Sequence, residues 1–294
     1  MARNFKLGAL IIGAGRSGTT SLFEYLRQHP DINSSRIKEV HFFSFKELYE
    51  RGIPYLSSFF GKGEGLKLMA DTYAMIDEQA PQRLAAFDPS VKVIVMLREP
   101  GIRSFSNFRY ARNFGYEKEG CDFMSAIKSE SERLHDTDLV QRNNRCHLYG
   151  SLYAFHLKRW VHAQGKGNIF VSTLDNLQRD PQKLLSDLFA FLKLPDCKIS
   201  ALGARNSSAK ARSKRLEQIL LNRNRPLRKL FRKAAPSFLK KAIIRSGVVD
   251  SLHRINRQKA NAERMPDNCR KYMDEYFRKD LEDLERDFGV RFSG

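Results

Sequence analysis

The sequence predicts a three-layer α/β fold with a central parallel sheet. Two short apolar runs, residues 7–12 and 91–96, each lead into a turn rich in glycine or polar residues. Short runs of this kind are typical of parallel strands that are covered by helices on both faces. A third short segment, residues 168–173, lies between two stretches with apolar residues at helical spacing. Strands that alternate with helices favour a parallel sheet.

The glycine-rich turn after the first predicted strand indicates an anion site. Gly13 and Gly18 have the G-x-x-x-x-G spacing of a nucleotide-binding P-loop, but Thr19 stands where that motif requires lysine. The loop is therefore P-loop-like, and its one cation is Arg16. Hydroxyl residues follow at the start of a predicted helix, where free backbone N–H groups and the helix dipole favour an anion.

The second predicted strand ends in a basic turn that starts with Arg98 and contains Ser106. Because the carboxyl ends of parallel strands meet at one edge of a sheet, we expect these two side chains to face the same crevice as the glycine-rich loop. The guanidinium of arginine offers a planar fork of donors that suits a phosphate.

Two patterns in these turns, G-x-[RK]-S-G-T-[ST] and R-x-P-x-x-R-x-x-S, resemble the phosphate-binding elements of sulfotransferases that use 3′-phosphoadenosine-5′-phosphosulfate (PAPS). The resemblance implies that Arg98 and Ser106 hold the 3′-phosphate of PAPS. It also implies that the 5′-phosphosulfate is held by the loop and the first turn of the helix: Arg16, Ser17, Gly18, Thr19, Thr20 and Ser21. Arg16 stands where most relatives carry lysine, and it would in addition stabilise charge on the leaving group.

Residues 36–44, RIKEVHFFS, resemble the K-E-x-H-F-F segment of glycan-modifying sulfotransferases, including the heparan sulfate enzymes. The resemblance implies that Glu39 is the catalytic base, with His41 as the second candidate. If the segment is extended, these two side chains point to one face. The alternative is a charged pair at the end of a strand whose neighbouring aromatic residues pack in the core.

One element of the glycan enzymes is missing. They carry Lys-Ser/Thr-Pro-x-Tyr between the base and the second strand, whereas residues 69–73 here read MADTY. The lysine and the proline are absent, so this element carries over no function. Whether Asp71 lies near the acceptor is left open by the sequence.

Residues 1–204 are predicted to form the α/β core. Tyr153, Leu157 and Trp160 fall at helical spacing before the third strand, and Asp180-Pro181 opens an amphipathic helix after it. With 294 residues and 41% hydrophobic content, one domain with an appended helical region is the simplest organisation.

Residues 205–259 are strongly basic. They contain 17 lysine and arginine residues but only two acidic ones, and so carry most of the formal net charge of +19. Apolar residues interleave with the charges on both sides of Pro236, which predicts basic amphipathic helices. Three interpretations stay open for residues 210–259: a lid that guides an anionic acceptor, a surface for acidic lipid, or a solvated helical hairpin. Residues 260–294 are predicted to close the domain with a helix that carries Tyr272, Phe277, Leu281 and Leu284 on one face.

Several classes are not supported by the sequence. No helix-turn-helix, zinc-finger or aromatic RNA-binding pattern accompanies the charge, so we expect no nucleic-acid partner. The four cysteines form no C-x-x-C pair, the first strand begins near residue 7, and no apolar stretch is long enough to span a bilayer. These features predict a cytoplasmic protein that contacts the inner membrane surface at most peripherally.

The combined sequence evidence predicts an enzyme that transfers the sulfuryl group of PAPS, in line and without a metal, to a hydroxyl. The implied acceptor is a saccharide or glycoconjugate, with an anionic glycan or a glycolipid as candidates. Two alternatives stay open. A P-loop kinase would require lysine after Gly18 and an aspartate for magnesium, where this chain has Thr19 and Arg98. The other alternative is a non-catalytic protein that has a nucleotide-binding fold and binds polyanions or membranes. Such a protein would bind the nucleotide without converting it.

Overall fold

The computed structural model describes residues 5–200, 209–211, 257–259 and 263–292. Its centre is a five-stranded sheet of parallel strands: β1 (Ala9–Gly13), β2 (Ile32–Glu39), β3 (Leu66–Ala70), β4 (Lys92–Leu97) and β5 (Ile169–Thr173). The strand order is β2-β3-β1-β4-β5, so β1 lies in the middle. The predicted α/β class with a central parallel sheet is confirmed.

Helices connect the strands and cover both faces of the sheet. In the described core they are α1 (Thr19–Leu26), α2 (Lys46–Tyr49), α3 (Gly52–Ser57), α4 (Ala80–Phe87), α5 (Pro100–Asn113), α6 (Phe123–Lys128), α7 (Glu130–Arg133), α8 (Leu139–Arg145), α9 (Tyr153–Gln164), α10 (Leu174–Arg179) and α11 (Pro181–Leu192). Two 3₁₀ turns, Tyr149–Ser151 and Lys166–Asn168, flank α9.

Alternation along the strands divides the core into two layers. Ile11 and Ile94 point to the face covered by α1, α10 and α11, where Leu188 is fully buried. Leu10 and Val93 point to the opposite face, which is covered by α4 and α9 and includes Trp160. Because successive strand side chains alternate between faces, each central strand must be apolar on both, which explains the continuous apolar runs.

The last helix, α12 (Asp267–Phe288), packs against α5 and α9. The predicted closing helix is present, but one residue of its predicted apolar face is wrong. Phe277 and Leu284 are buried and Leu281 packs partly against the core, whereas Tyr272 is 36% exposed and Met273 takes the buried position. Tyr272 precedes Phe277 by five residues, which at 3.6 residues per turn is well off the same face.

Most of the predicted basic helical segment, residues 205–259, lies outside the described residues. At its two ends the structure differs from the helix prediction, because β6 (Ala209–Ala211) pairs antiparallel with β7 (Arg257–Lys259). Among the described residues, no helix has the length and apolar character needed to cross a membrane.

Candidate active site

The glycine-rich loop lies at the carboxyl edge of the sheet, between β1 and α1. Ala14 N donates to Met96 O at 2.6 Å, which fixes the loop against the end of β4. Gly18 has φ +82°, a left-handed conformation that favours glycine, and Arg16 also has positive φ. A Cβ added at Gly15 would meet no atom within 4 Å. The loop therefore keeps open space next to its backbone, as an anion cradle requires.

The predicted hydroxyl residues surround the start of α1. Ser17 and Thr19 are buried, Ser21 is half-buried, and Thr20 is exposed. Leu22 N donates to Gly18 O at 3.0 Å, and no described side chain caps the helix. A helix start without a side-chain cap presents backbone donors and a partial positive charge, so it suits an anion.

One contact joins the two predicted phosphate-binding segments. Arg16 Nε donates to Ser106 Oγ at 3.4 Å, although the two residues are 90 positions apart in the chain. The Arg16 guanidinium also lies over the ring of Tyr110, 5.0 Å from its centroid. Since Ser106 and Tyr110 are one turn apart on α5, this helix presents a continuous face to the loop.

Positive charge accumulates around Arg16. This residue keeps solvent contact, yet the surrounding protein lowers the pKa of its guanidinium by desolvation, and Arg98, Arg103 and Arg109 lower it further. Burial also lowers the pKa of Arg98 and of Arg103. Within the described residues, no salt bridge includes Arg16, Arg98 or Arg103. The site thus holds cations that a bound anion would neutralise.

Arg98 follows directly after β4, as predicted. The hydroxyl of Tyr153 donates to Arg98 O at 2.7 Å and fixes the backbone there. Glu99 caps the start of α5 by accepting a hydrogen bond from Gly101 N at 2.9 Å. This cap fixes where α5 begins, and with it the position of Ser106 two turns later.

Glu39 is the last residue of β2 and lies opposite Ala70 in the sheet. Its Oε2 accepts hydrogen bonds from Thr72 N at 2.8 Å and from Thr72 Oγ1 at 3.0 Å, and its Oε1 pairs with Lys38. Burial raises the pKa of this carboxyl, but the Lys38 charge, the His41 ring and the Thr72 hydrogen bond outweigh it, so the pKa is lowered. Glu39 is therefore ionised at neutral pH and able to accept a proton.

His41 lies beyond the end of the strand. The extended conformation that would put Glu39 and His41 on one face does not continue to His41, because β2 ends at Glu39 and His41 has φ +56°. The reason is Asp71, which is fully buried and accepts hydrogen bonds from Ser44 N at 3.0 Å and Phe43 N at 3.2 Å. Asp71 also accepts from His41 Nδ1 at 3.2 Å. Its carboxylate closes the turn and orients the His41 ring.

Tyr73 lies next to His41 and close enough to Tyr110 and Glu39 to interact with them electrostatically. Its ring is 4.6 Å from that of His41. Burial raises the pKa of Tyr73, and the neighbouring Tyr110 and Glu39 raise it further. Because Tyr110 also contacts Arg16, the structure brings the predicted base and the predicted phosphate-binding residues to one side of the sheet edge.

The sequence analysis gave no role to Arg103, which the structure places behind the loop. Arg103 is 4% exposed and donates to His147 O at 2.6 Å, to Ser151 Oγ and, at 3.5 Å, to Gly15 O. His147 in turn contacts Glu117 Oε1 through Nε2 at 2.9 Å. Arg103 and Ser106 share one face of α5, so helical spacing within the second motif was a signal for this residue.

Comparison with known proteins establishes the family. The sequence profile of the sulfotransferase domain matches residues 8–283, so the chain belongs to the sulfotransferase family. It is 29% identical over 193 residues to human bifunctional heparan sulfate N-deacetylase/N-sulfotransferase 1, covering 62% of this chain and 21% of the relative. It is 27% identical over 191 residues to human heparan sulfate glucosamine 3-O-sulfotransferase 5, covering 64% of this chain and 53% of the relative.

A solved sulfotransferase structure from Alicyclobacillus acidocaldarius matches 98% of each chain with a TM-score of 0.67 and 20% sequence identity. This likeness supports the fold. The chain spans between about a fifth and about half of the length of the two curated relatives. The predicted sulfotransferase class is thus confirmed over the kinase alternative.

Proposed function

We propose that this chain transfers the sulfuryl group of PAPS to a hydroxyl of a saccharide acceptor. The observation that carries the proposal is the contact between Arg16 and Ser106, which joins the phosphosulfate loop to the predicted 3′-phosphate element. The two curated relatives support a glycan acceptor, since their names specify sulfotransferases of heparan sulfate.

The residues at the loop fit a bound PAPS. PAPS has a 3′-phosphate and a 5′-phosphosulfate on its ribose. The site offers hydrogen-bond donors for each group, at the start of α1 and in the turn from Arg98 to Ser106. The open space at Gly15 lets an anion approach the backbone. Arginines that form no salt bridge among the described residues supply positive charge for the phosphate and phosphosulfate groups.

In the proposed mechanism, PAPS supplies an activated sulfuryl group for in-line transfer. The loop backbone and the hydroxyls of Ser17 and Thr19 hold the 5′ end, and Arg98 with Ser106 holds the 3′-phosphate. Arg16 stabilises the negative charge that develops on the leaving oxygen, because a cation fixed by Tyr110 and Ser106 needs little reorganisation.

Glu39 takes the proton of the acceptor hydroxyl as the new oxygen–sulfur bond forms. Its lowered pKa keeps it ionised, and two hydrogen bonds to Thr72 fix its orientation. His41 is the second candidate for this role. Asp71 acts at a distance from the acceptor by orienting His41 rather than by contacting the substrate.

The test is transfer from sulfur-labelled PAPS to a panel of saccharides, with formation of adenosine 3′,5′-bisphosphate as a parallel readout. We expect both a labelled saccharide and the nucleotide product, and loss of both in the Arg16→Ala variant. Binding of the nucleotide without transfer to any saccharide would support the alternative of a non-catalytic binding protein instead.

For residues 210–259 we propose a role in attracting an anionic acceptor or the acidic inner surface of a membrane, in a cytoplasmic protein. The support is the concentration of positive charge in the sequence. Reversal of Arg228, Lys229, Arg232 and Lys233 to glutamate should weaken binding to anionic liposomes at low salt and raise the acceptor KM. Unchanged values for both would leave the segment as a solvated appendage.

A further inference from the structure

A cavity of about 460 Å³ lies between the turn that follows His41 and helix α8. Ser44 and Phe45 form one wall, residues 137–142 form another, and Tyr116 also lines the space. Its volume falls within the range of about 300–1,000 Å³ that is usual for small-molecule sites. A saccharide unit is therefore a reasonable occupant by size.

The cavity adjoins His41, the second candidate for the base. The ring of Phe45 is 5.7 Å from that of His41 and 6.2 Å from that of Tyr73. Asn144, on α8, donates to the Tyr73 hydroxyl at 3.2 Å and fixes the helix against the same residue. A saccharide in this cavity would thus lie close to His41.

Charged side chains of both signs line the cavity: Lys46, Glu47, Asp77, Arg83, Asp138 and Arg142. Most of them are already compensated. Arg83 pairs with Asp77 at 3.2 Å, Lys46 lies 3.7 Å from Glu50, and Asp138 caps α8 by accepting from Val140 N at 2.8 Å. Glu47 is exposed at the rim.

Arg142 differs from the other lining residues. Its Nε is buried and has no hydrogen-bond partner, and within the described chain its guanidinium enters no salt bridge. A buried donor without an acceptor is costly, and the planar fork of arginine binds carboxylates and sulfates well. The cation therefore lacks an anion on the acceptor side of the site.

We propose that this cavity binds the part of the saccharide acceptor that adjoins its reacting hydroxyl, and that Arg142 recognises an acidic substituent of that saccharide. The inference rests on the proposed sulfotransferase function and names a determinant of its acceptor specificity. The acidic group is either the carboxylate of a uronic acid or a sulfate ester, since both offer the same paired oxygen acceptors.

The test uses three polysaccharides with the parent and with Arg142→Gln: an unsulfated polymer with uronic acid residues, its carboxyl-reduced form, and the reduced form carrying sulfate esters. Loss of a charged hydrogen bond should raise KM for the acidic polymers about ten- to a hundredfold, with kcat nearly unchanged. KM for the neutral, carboxyl-reduced polymer should stay near that of the parent. Preference for the first or the third polymer identifies the acidic group.

Arg145→Gln is the matched control, because it makes the same change on α8 at a residue that does not line the cavity. Arg142→Lys should recover part of the affinity for the acidic polymers. An equal rise of KM for all three polymers, or no rise at all, would overturn the proposal. Direct calorimetry of the polysaccharides tests Arg142 even if no transfer is found, whereas failure to bind adenosine 3′,5′-bisphosphate would refute the proposed function alone.

Discussion

Replacement of Glu39 by glutamine should remove most turnover while leaving the fold and the nucleotide site intact. The amide oxygen of glutamine can still accept the hydrogen bond from Thr72 N, which measures 2.8 Å. The lost partner of Lys38 costs little stability, because the Glu39 side chain is 30% exposed and water screens the pair. Loss of a general base lowers kcat by about 10²–10⁴-fold, or about 2.7–5.4 kcal/mol of transition-state stabilisation.

The assay is steady-state transfer from PAPS, with calorimetry of adenosine 3′,5′-bisphosphate on the same preparations. The control is Glu50→Gln, which also removes a carboxylate near a lysine but lies exposed on the surface. Because the pKa of Glu39 is lowered, kcat/KM should not fall between pH 7.5 and 5.5 on account of the base. A base with an ordinary imidazole pKa of about 6.5 would lose activity in that window. Near-native turnover of the Glu39 variant, together with such a fall, would refute the assignment.

Three further predictions address the nucleotide site, the turn after β2 and the buried carboxyl of Glu130, which accepts hydrogen bonds from Leu148 N and Tyr149 N. Arg98→Ala should weaken adenosine 3′,5′-bisphosphate about ten- to a hundredfold but adenosine 5′-phosphosulfate far less, and equal losses in calorimetry would remove Arg98 from the 3′-phosphate. Asp71→Asn should lower the free energy of unfolding in urea by about 1.5–3 kcal/mol, because a buried carboxylate holds the backbone of residues 43–44; a change under about 0.5 kcal/mol would contradict this role. Burial raises the pKa of Glu130 to about 7, so this group binds more protons in the folded state and stability should decrease as pH rises from about 4.5 to 7. In urea unfolding, the free energy of unfolding of Glu130→Gln should therefore rise relative to that of the parent, by at most about 1.4 kcal/mol for each pH unit in that window. A difference between the two proteins that does not change with pH would contradict the raised pKa.

Local signals in the sequence were sufficient to predict the loop and the strands beside it. The apolar run before Gly13 and the one before Arg98 each specify a buried strand, and parallel pairing then brings their carboxyl ends to one edge. The contact between Arg16 and Ser106 follows from that geometry. The end of the edge strand β2 was harder to predict, because a single buried acceptor, Asp71, which follows β3, holds the turn at His41.

The residues that the sequence analysis missed act through contacts between segments far apart in the chain. Arg103 binds the carbonyl of His147, which is 44 positions away, and no local pattern specifies such a partner. Tyr272 is a different case, because helical spacing from Phe277 already favours Met273 rather than Tyr272 as the buried residue. Met273 and Phe277, which are four residues apart, are the ones buried where α12 packs against α5 and α9.

The arrangement of charges around the loop links stability to function. Arg98 and Arg103 lie close enough to Arg16 to lower the pKa of its guanidinium. No described acidic side chain forms a salt bridge with any of the three arginines. Like charges in a partly desolvated site oppose folding, so the protein carries this cost in the absence of an anion. Under the proposed function, a nucleotide with anionic groups at the 3′ and 5′ positions of its ribose would reduce this repulsion on binding. Relief of the repulsion would then contribute to the affinity for the nucleotide, and the bound nucleotide would stabilise the fold.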